Sequence, residues 1–189
     1  MAGWVMIVEV AVENHLGRSG MYRDTQLIAF LRNAPGELSR LCEVLKGHDI
    51  NILAMSIQNA EDYVRGLLKA RELTGRRIAT AASYGSIMKD SEDYSVIRIV
   101  VERSQTRGAI ELLQSSGYAI ETTPVLVIVL ENRPGMLGNV AGTFARAGIN
   151  IDYVYGSVLS GNKKSLFIVH VKPEELDRAA ELFSIPKGG

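Results

Sequence analysis

Residues 26–56 and 125–155 are one unit written twice, at a constant offset of 99 positions. Leu27, Leu31, Asn33, Pro35, Gly36, Leu38, Ile50, Asn51 and Ile52 return as Leu126, Leu130, Asn132, Pro134, Gly135, Leu137, Ile149, Asn150 and Ile151. The period is too long for a stacked solenoid, so the chain should hold two whole copies of one small domain. Any reading of one copy has to suit the other.

Lysine plus arginine and aspartate plus glutamate both number 21, so the net charge is zero and neither nucleic acid nor an anionic membrane is favoured as a partner. With 47% apolar and 22% charged residues the chain has material for a packed core. The longest apolar run, residues 4–8, is too short to cross a bilayer and has no basic residue ahead of it, which predicts a cytoplasmic protein. Cys42 stands alone and the histidines are scattered at 15, 48 and 170, so neither a disulfide nor a metal site is expected, and no cofactor is implied. Cys42 falls in the stripe Leu38, Leu41, Cys42, Leu45 and reads as a core thiol.

In the first copy residues 26–31, 50–57, 94–101 and 118–122 read as strands, and 38–45 and 106–115 as helices with apolar residues three and four apart. The second copy gives strands at 125–130, 149–158 and 165–171. Its helices carry Leu137, Val140, Ala141 and Phe144, then Leu176, Ala179, Ala180 and Phe183 beyond Pro173. The order β-α-β-β-α-β, with helices on one face of an antiparallel sheet, is α+β. The domains fall at 25–123 and 124–189, behind an N-terminal extension, 1–24.

Residues 58–93 are extra in the first copy and predict a helical insert of two helices broken near Thr74 and Gly75. Period two places Leu53, Met55 and Ile57 opposite Ile50 and Ile52, on a face those helices would cover; it also places Tyr153 and Tyr155 with Ile149 and Ile151 as core residues. Residues 185–189 are too short for the last strand of copy two. The β-rich residues 4–12 are expected to cover the exposed edge of 125–130, unless residues 1–20 are an extension ahead of a start at Met21.

Each copy sets Asn-x-Pro-Gly-x-Leu between its first strand and first helix. Pro fixes the first helical turn, Gly lets a ligand approach the backbone, and Asn offers both a donor and an acceptor. Helix-start N–H groups suit a carboxylate, so the loop suits a small zwitterion, or else is only a tight turn.

With Gly148-Ile149-Asn150-Ile151 downstream, this loop resembles that of the ACT domain family, the ligand-sensing modules of amino-acid metabolism. Copy two is the closer match, with Leu130-Glu131-Asn132-Arg133-Pro134-Gly135-Met136-Leu137, while copy one has Asp49 where Gly148 stands. The resemblance implies two ferredoxin-like repeats and an amino-acid ligand where two ACT domains meet. It pairs the loop Asn of one domain with the Asn that opens the second strand of its neighbour: Asn132 with Asn51, and Asn33 with Asn150. Pro134, Gly135, Met136 and Leu137 complete one loop and Gly36 and Leu38 the other. Serine-sensing members of the family carry a His two residues before the loop Asn; Leu31 and Leu130 stand here, which favours a less polar amino acid. A homodimer, and a separate metabolic enzyme as the regulated partner, are further implications.

Gly156 to Gly161 has a phosphate-loop gap but Asn162 where Lys is needed, and no Ser-His-Asp order or dinucleotide fingerprint occurs. His48 reads as an exposed helix-end residue. An acylphosphatase-like use of Arg32 and Asn33, or Asn132 and Arg133, lacks a general acid or base, and residues 95–101 offer no aromatic platform for RNA. The expectation is a non-catalytic regulatory protein that binds an amino acid; the alternative is a regulatory subunit of a separate enzyme with no ligand of its own.

Overall fold

The structure, a computed structural model, describes residues 20–60, 93–158 and 163–183. In chain order the elements are β1 (Gly20–Arg32), α1 (Glu37–Lys46), β2 (Ile52–Asn59), β3 (Tyr94–Val101), α2 (Thr106–Ser115), β4 (Ile120–Glu131), α3 (Met136–Arg146), β5 (Tyr153–Val158), β6 (Lys164–His170) and α4 (Leu176–Glu181). The strands form one antiparallel sheet in the order β2-β3-β1-β4-β6-β5. This is the expected α+β architecture of two ferredoxin-like repeats. Of the insert expected at 58–93, Gln58 and Asn59 belong to β2, Ala60 and Asp93 are described at its two ends, and residues 61–92, where the two helices are expected, lie outside the described residues.

Two long strands join the repeats. The C-terminal half of β1 is the first strand of copy one, and its N-terminal half, Gly20–Asp24, pairs with Val129–Val125. The expected missing strand of copy two is therefore the start of β1, and not residues 4–12, which lie outside the described residues. β4 does the same service in reverse, so the strands expected at 118–122 and 125–130 are one strand running through Pro124. β6 accompanies β4 only from Leu126 onward, so Pro124 sits where that side of the ladder is open. Thr25 and Pro124, equivalent under the 99-residue offset, face each other at the centre of the long pair and mark a pseudo-twofold axis.

Alternation along β1 and β4 turns Leu27, Ala29 and Leu31, and Leu126, Ile128 and Leu130, toward the helices. There they meet Leu41, Leu45, Ala109 and Leu113 in copy one, and Val140, Phe144, Leu176 and Ala179 in copy two. The opposite face has no helix among the described residues. The sheet instead curls until its edge strands β2 and β5 approach one another. Ala54, Val100, Val125, Val127, Val129, Leu166 and Ile168 are buried inside the curl, beside Tyr22 and Tyr155. Covered on both sides, β4 can be apolar at every position from Val125 to Val129.

A register shift between Ile52 and Ala54 corrects two expectations of facing. Ile52 opposes Val101, but Ala54 opposes Val100 and Met55 opposes Ile99, so one extra residue inverts the parity. Met55 and Ile57 consequently sit on the helix-bearing face, at the sheet edge, 39% and 52% exposed. The same change follows Ile151 in copy two, where β5 begins only at Tyr153. Ile149 and Ile151 pack with the helices, whereas Tyr153 and Tyr155 oppose His170 and Ile168 and turn into the curl.

Candidate ligand-binding loops

The two Asn-Pro-Gly loops have the same geometry. In copy one Asn33 N–H donates to Asp93 O at 2.8 Å, and Asn33 Oδ1 accepts from the Ser95 hydroxyl at 3.3 Å. In copy two Asn132 N–H donates to Lys163 O at 2.9 Å, and Asn132 Oδ1 accepts from Ser165 at 3.1 Å. Each serine lies on the neighbouring strand opposite the leucine two residues before the asparagine. The loop is thus hung from the next strand by a backbone and a side-chain bond.

Gly36 and Gly135 then turn the chain into α1 and α3 with φ of 91° and 86°, a region that favours glycine. Neither helix start has a side-chain cap, and apart from its own chain neighbours no atom lies within 4 Å of where a Cβ would stand on either glycine. Pro35, Pro134 and both glycines are exposed, and Leu38, Met136 and Leu137 are half-buried. Each loop therefore presents first-turn N–H groups over an open surface beside a fixed asparagine. That arrangement can take a carboxylate or carbonyl oxygen.

The two second-strand asparagines differ. Asn51 is half-buried; its N–H donates to Gln105 Oε1 at 3.3 Å, while its Nδ2 is buried without a hydrogen-bond partner. Asn150 is exposed and its Nδ2 donates to Asp152 Oδ1 at 3.2 Å. Within one chain neither expected pair is brought together. Asn51 stands level with the centre of β1, and Asn132 lies past the end where Gly20 meets Val129, about 25 Å away along the strand direction. The pseudo-symmetry separates Asn33 from Asn150 likewise.

A polar cluster inside the curl was not legible as a site. Gln26, fully buried, donates from Nε2 to the Tyr153 hydroxyl at 2.7 Å and accepts from the Tyr155 hydroxyl at 3.0 Å. The Tyr153 ring stacks on His170, with centroids 4.7 Å apart, and has the Arg98 guanidinium 4.7 Å from its centroid. His170 reaches Asp152 Oδ2 through Nδ1 at 3.1 Å and Thr123 Oγ1 through Nε2 at 3.3 Å. Burial pushes both tyrosines up; for Tyr153 the bond to Gln26 and the charge of Arg98 oppose the shift. The available signal was a glutamine and an arginine at strand positions amid Leu, Ile and Val. Elsewhere, Cys42, expected as an enclosed core thiol, is only half-buried on α1; burial, and then Glu43, pushes its thiol up.

The sequence profile of an ACT domain pair matches residues 64–185, more than half of the chain. The chain belongs to the ACT domain family. Two solved structures show the same fold. Protein BT0572 from Bacteroides thetaiotaomicron is 24% identical, with 86% of this chain and 87% of that one covered and a TM-score of 0.60. The ligand-free regulatory subunit of aspartate kinase from Thermus thermophilus is 12% identical, with 87% and 94% covered and a TM-score of 0.52. No curated protein matches the sequence. Membership among ACT domain pairs supports a regulatory, ligand-binding role for this one. Among the described residues no helix is long and apolar enough to cross a membrane.

Proposed function

We propose that this ACT pair is a non-catalytic regulatory protein that binds a free amino acid at its Asn-x-Pro-Gly-x-Leu loops. One observation carries the reading: an uncapped helix start behind a left-handed glycine, beside a serine-anchored asparagine, is built twice in the same geometry. First-turn N–H groups take the ligand carboxylate, and Asn132 or Asn33 orients it. Because Asn51 and Asn150 lie far from these loops within one chain, a second copy of the chain supplies them, pairing Asn132 with Asn51 and Asn33 with Asn150 across a homodimer. The regulatory subunit of aspartate kinase shares the fold, and in this reading the partner that responds to the ligand is a separate metabolic enzyme.

A ligand of amino-acid size supports only micromolar to millimolar affinity. Titration of ligand-stripped protein with each of the twenty amino acids, by calorimetry and by melting temperature, tests the reading. Asn132→Ala should weaken the responding amino acid more than tenfold, since a hydrogen bond to a charged group contributes about 1.5–3 kcal/mol. A protein that no amino acid stabilises at millimolar concentration would leave the second reading, a clamp on a separate enzyme with no ligand of its own. The serine hydroxyls favour that alternative, because each donates to its loop asparagine oxygen from within the chain.

A further inference from the structure

Arg98 is a charge in a layer that asks for none. It faces Ile28 on β1 and Ser56 on β2, which turns it into the curl with Ala54, Val100 and Ile168. Under the pseudo-twofold Ser56 corresponds to Tyr155, and the residue opposite Tyr155 is Ile168, fully buried. An aliphatic side chain therefore suffices at the equivalent position of copy two. The arginine Nε is buried with no hydrogen-bond partner. Among the described residues no carboxylate pairs with the guanidinium: Asp152, beside Tyr153, is held by Asn150 and His170. Arginine cannot discard its charge by losing a proton, so the cost of leaving a buried donor unmade persists at every accessible pH.

Among the described residues its neighbours include neutral hydroxyl side chains. The Tyr153 ring lies against the guanidinium, the Tyr153 hydroxyl is fixed by Gln26, and Ser56 stands beside Arg98 on the edge strand. A planar cation against an aromatic ring, with a serine and a tyrosine near it and no carboxylate paired with it among the described residues, is complementary to an oxyanion. We propose that the seam between β2 and β5 binds a small oxyanion, a carboxylate or an inorganic one, against Arg98, flanked by Ser56 and Tyr153. The site is separate from the Asn-Pro-Gly loops. An anion held there touches both edges of the curl and ties one repeat to the other.

The test uses the full chain in chloride buffer at fixed ionic strength, with sodium phosphate or sodium acetate replacing part of the chloride. Neither probe carries an ammonium group, so the response is independent of amino-acid binding at the loops. Wild type should gain several degrees in melting temperature with one probe, and Arg98→Met should not. A response to phosphate alone assigns the seam to an inorganic oxyanion; a response to acetate assigns it to a carboxylate. In chloride alone Arg98→Met should melt no lower than wild type, because an unpaired charge has been removed. No rise in wild type with either probe, or an equal rise in Arg98→Met, overturns the proposal. Should that variant not fold, the Arg98 Nε–H resonance of 15N-labelled wild type decides: it must move on adding the effective probe, and an unmoved resonance overturns the proposal.

Discussion

Replacing Gln26 with leucine should loosen the joint between the repeats while leaving each helical core intact. Gln26 is fully buried and both atoms of its amide are engaged, at 2.7 Å with Tyr153 and 3.0 Å with Tyr155. Leucine fills nearly the same volume but leaves two hydroxyls inside the curl without their partner. Each orphaned group costs about 1–3 kcal/mol. The extra apolar burial returns about 1–2 kcal/mol, so the net loss should be roughly 2–4 kcal/mol. For a chain of this length that lowers the melting temperature by roughly 5–15 °C. Hydrogen exchange should accelerate in β2 and β5 and remain slow in α1 and α3. Because the penalty arises from stranded partners, the triple variant Gln26→Leu, Tyr153→Phe, Tyr155→Phe should recover most of the loss. A Gln26→Leu protein within 0.5 kcal/mol of wild type, or a triple variant whose loss equals the sum of the singles, would refute the reasoning.

Three further outcomes are expected. Burial, with Asp24 adding to it and Arg103 opposing it, pushes Tyr22 up to about 12, and burial also raises Tyr153 and Tyr155. The folded chain keeps these protons when the unfolded chain, near pH 10, loses them, so the contribution is full below pH 10 and is lost as the pH rises toward about 12; denaturant melts between pH 9 and 12 should show Tyr22→Phe losing part of that slope, and identical slopes would contradict it. Asp49 holds φ 56° where Gly148 holds 69° at the same turn, so Asp49→Gly should stabilise copy one by about 1 kcal/mol in urea unfolding. A Cβ on Gly156 would collide with the Leu166 carbonyl and the Phe167 ring, so Gly156→Ala should cost about 1–3 kcal/mol and raise exchange in β5 and β6.

What could be read from the residues was whatever depended on near neighbours. β3 and α2 occupy the bounds expected of them, because the Val–Ile alternation of 94–101 and the three-four spacing of 106–115 are local signals. The positive φ at Gly36 and Gly135 follows from the loop sequence for the same reason. Facing was lost at Leu53 and Asp152, where one extra residue inverts every later side chain and leaves no compositional trace. β4 was split at Pro124 because proline normally ends a strand; only the late arrival of β6 makes it tolerable. The Gln26 bonds span 127 and 129 residues, a separation that no periodicity reaches. The loop asparagines were legible as a motif, but their serine anchors were not, since Ser95 and Ser165 become neighbours only through strand pairing.

The two repeats meet inside the curl as complements. Under the pseudo-twofold Ala54 corresponds to Tyr153, Ser56 to Tyr155, Val100 to His170 and Gln26 to Val125. Copy one thus supplies small side chains and one amide, and copy two supplies the two phenols that reach it. Had the copies kept identical inner faces, two pairs of tyrosines would have crowded one seam, or two pairs of small residues would have left it hollow, and either costs stability in a close-packed interior. Divergence at these few positions lets one chain close on itself while the Asn-Pro-Gly loops keep the same geometry in both copies. The inner faces fix how the repeats sit together, and the loops keep their match because their anchors, Ser95 and Ser165, lie outside that seam.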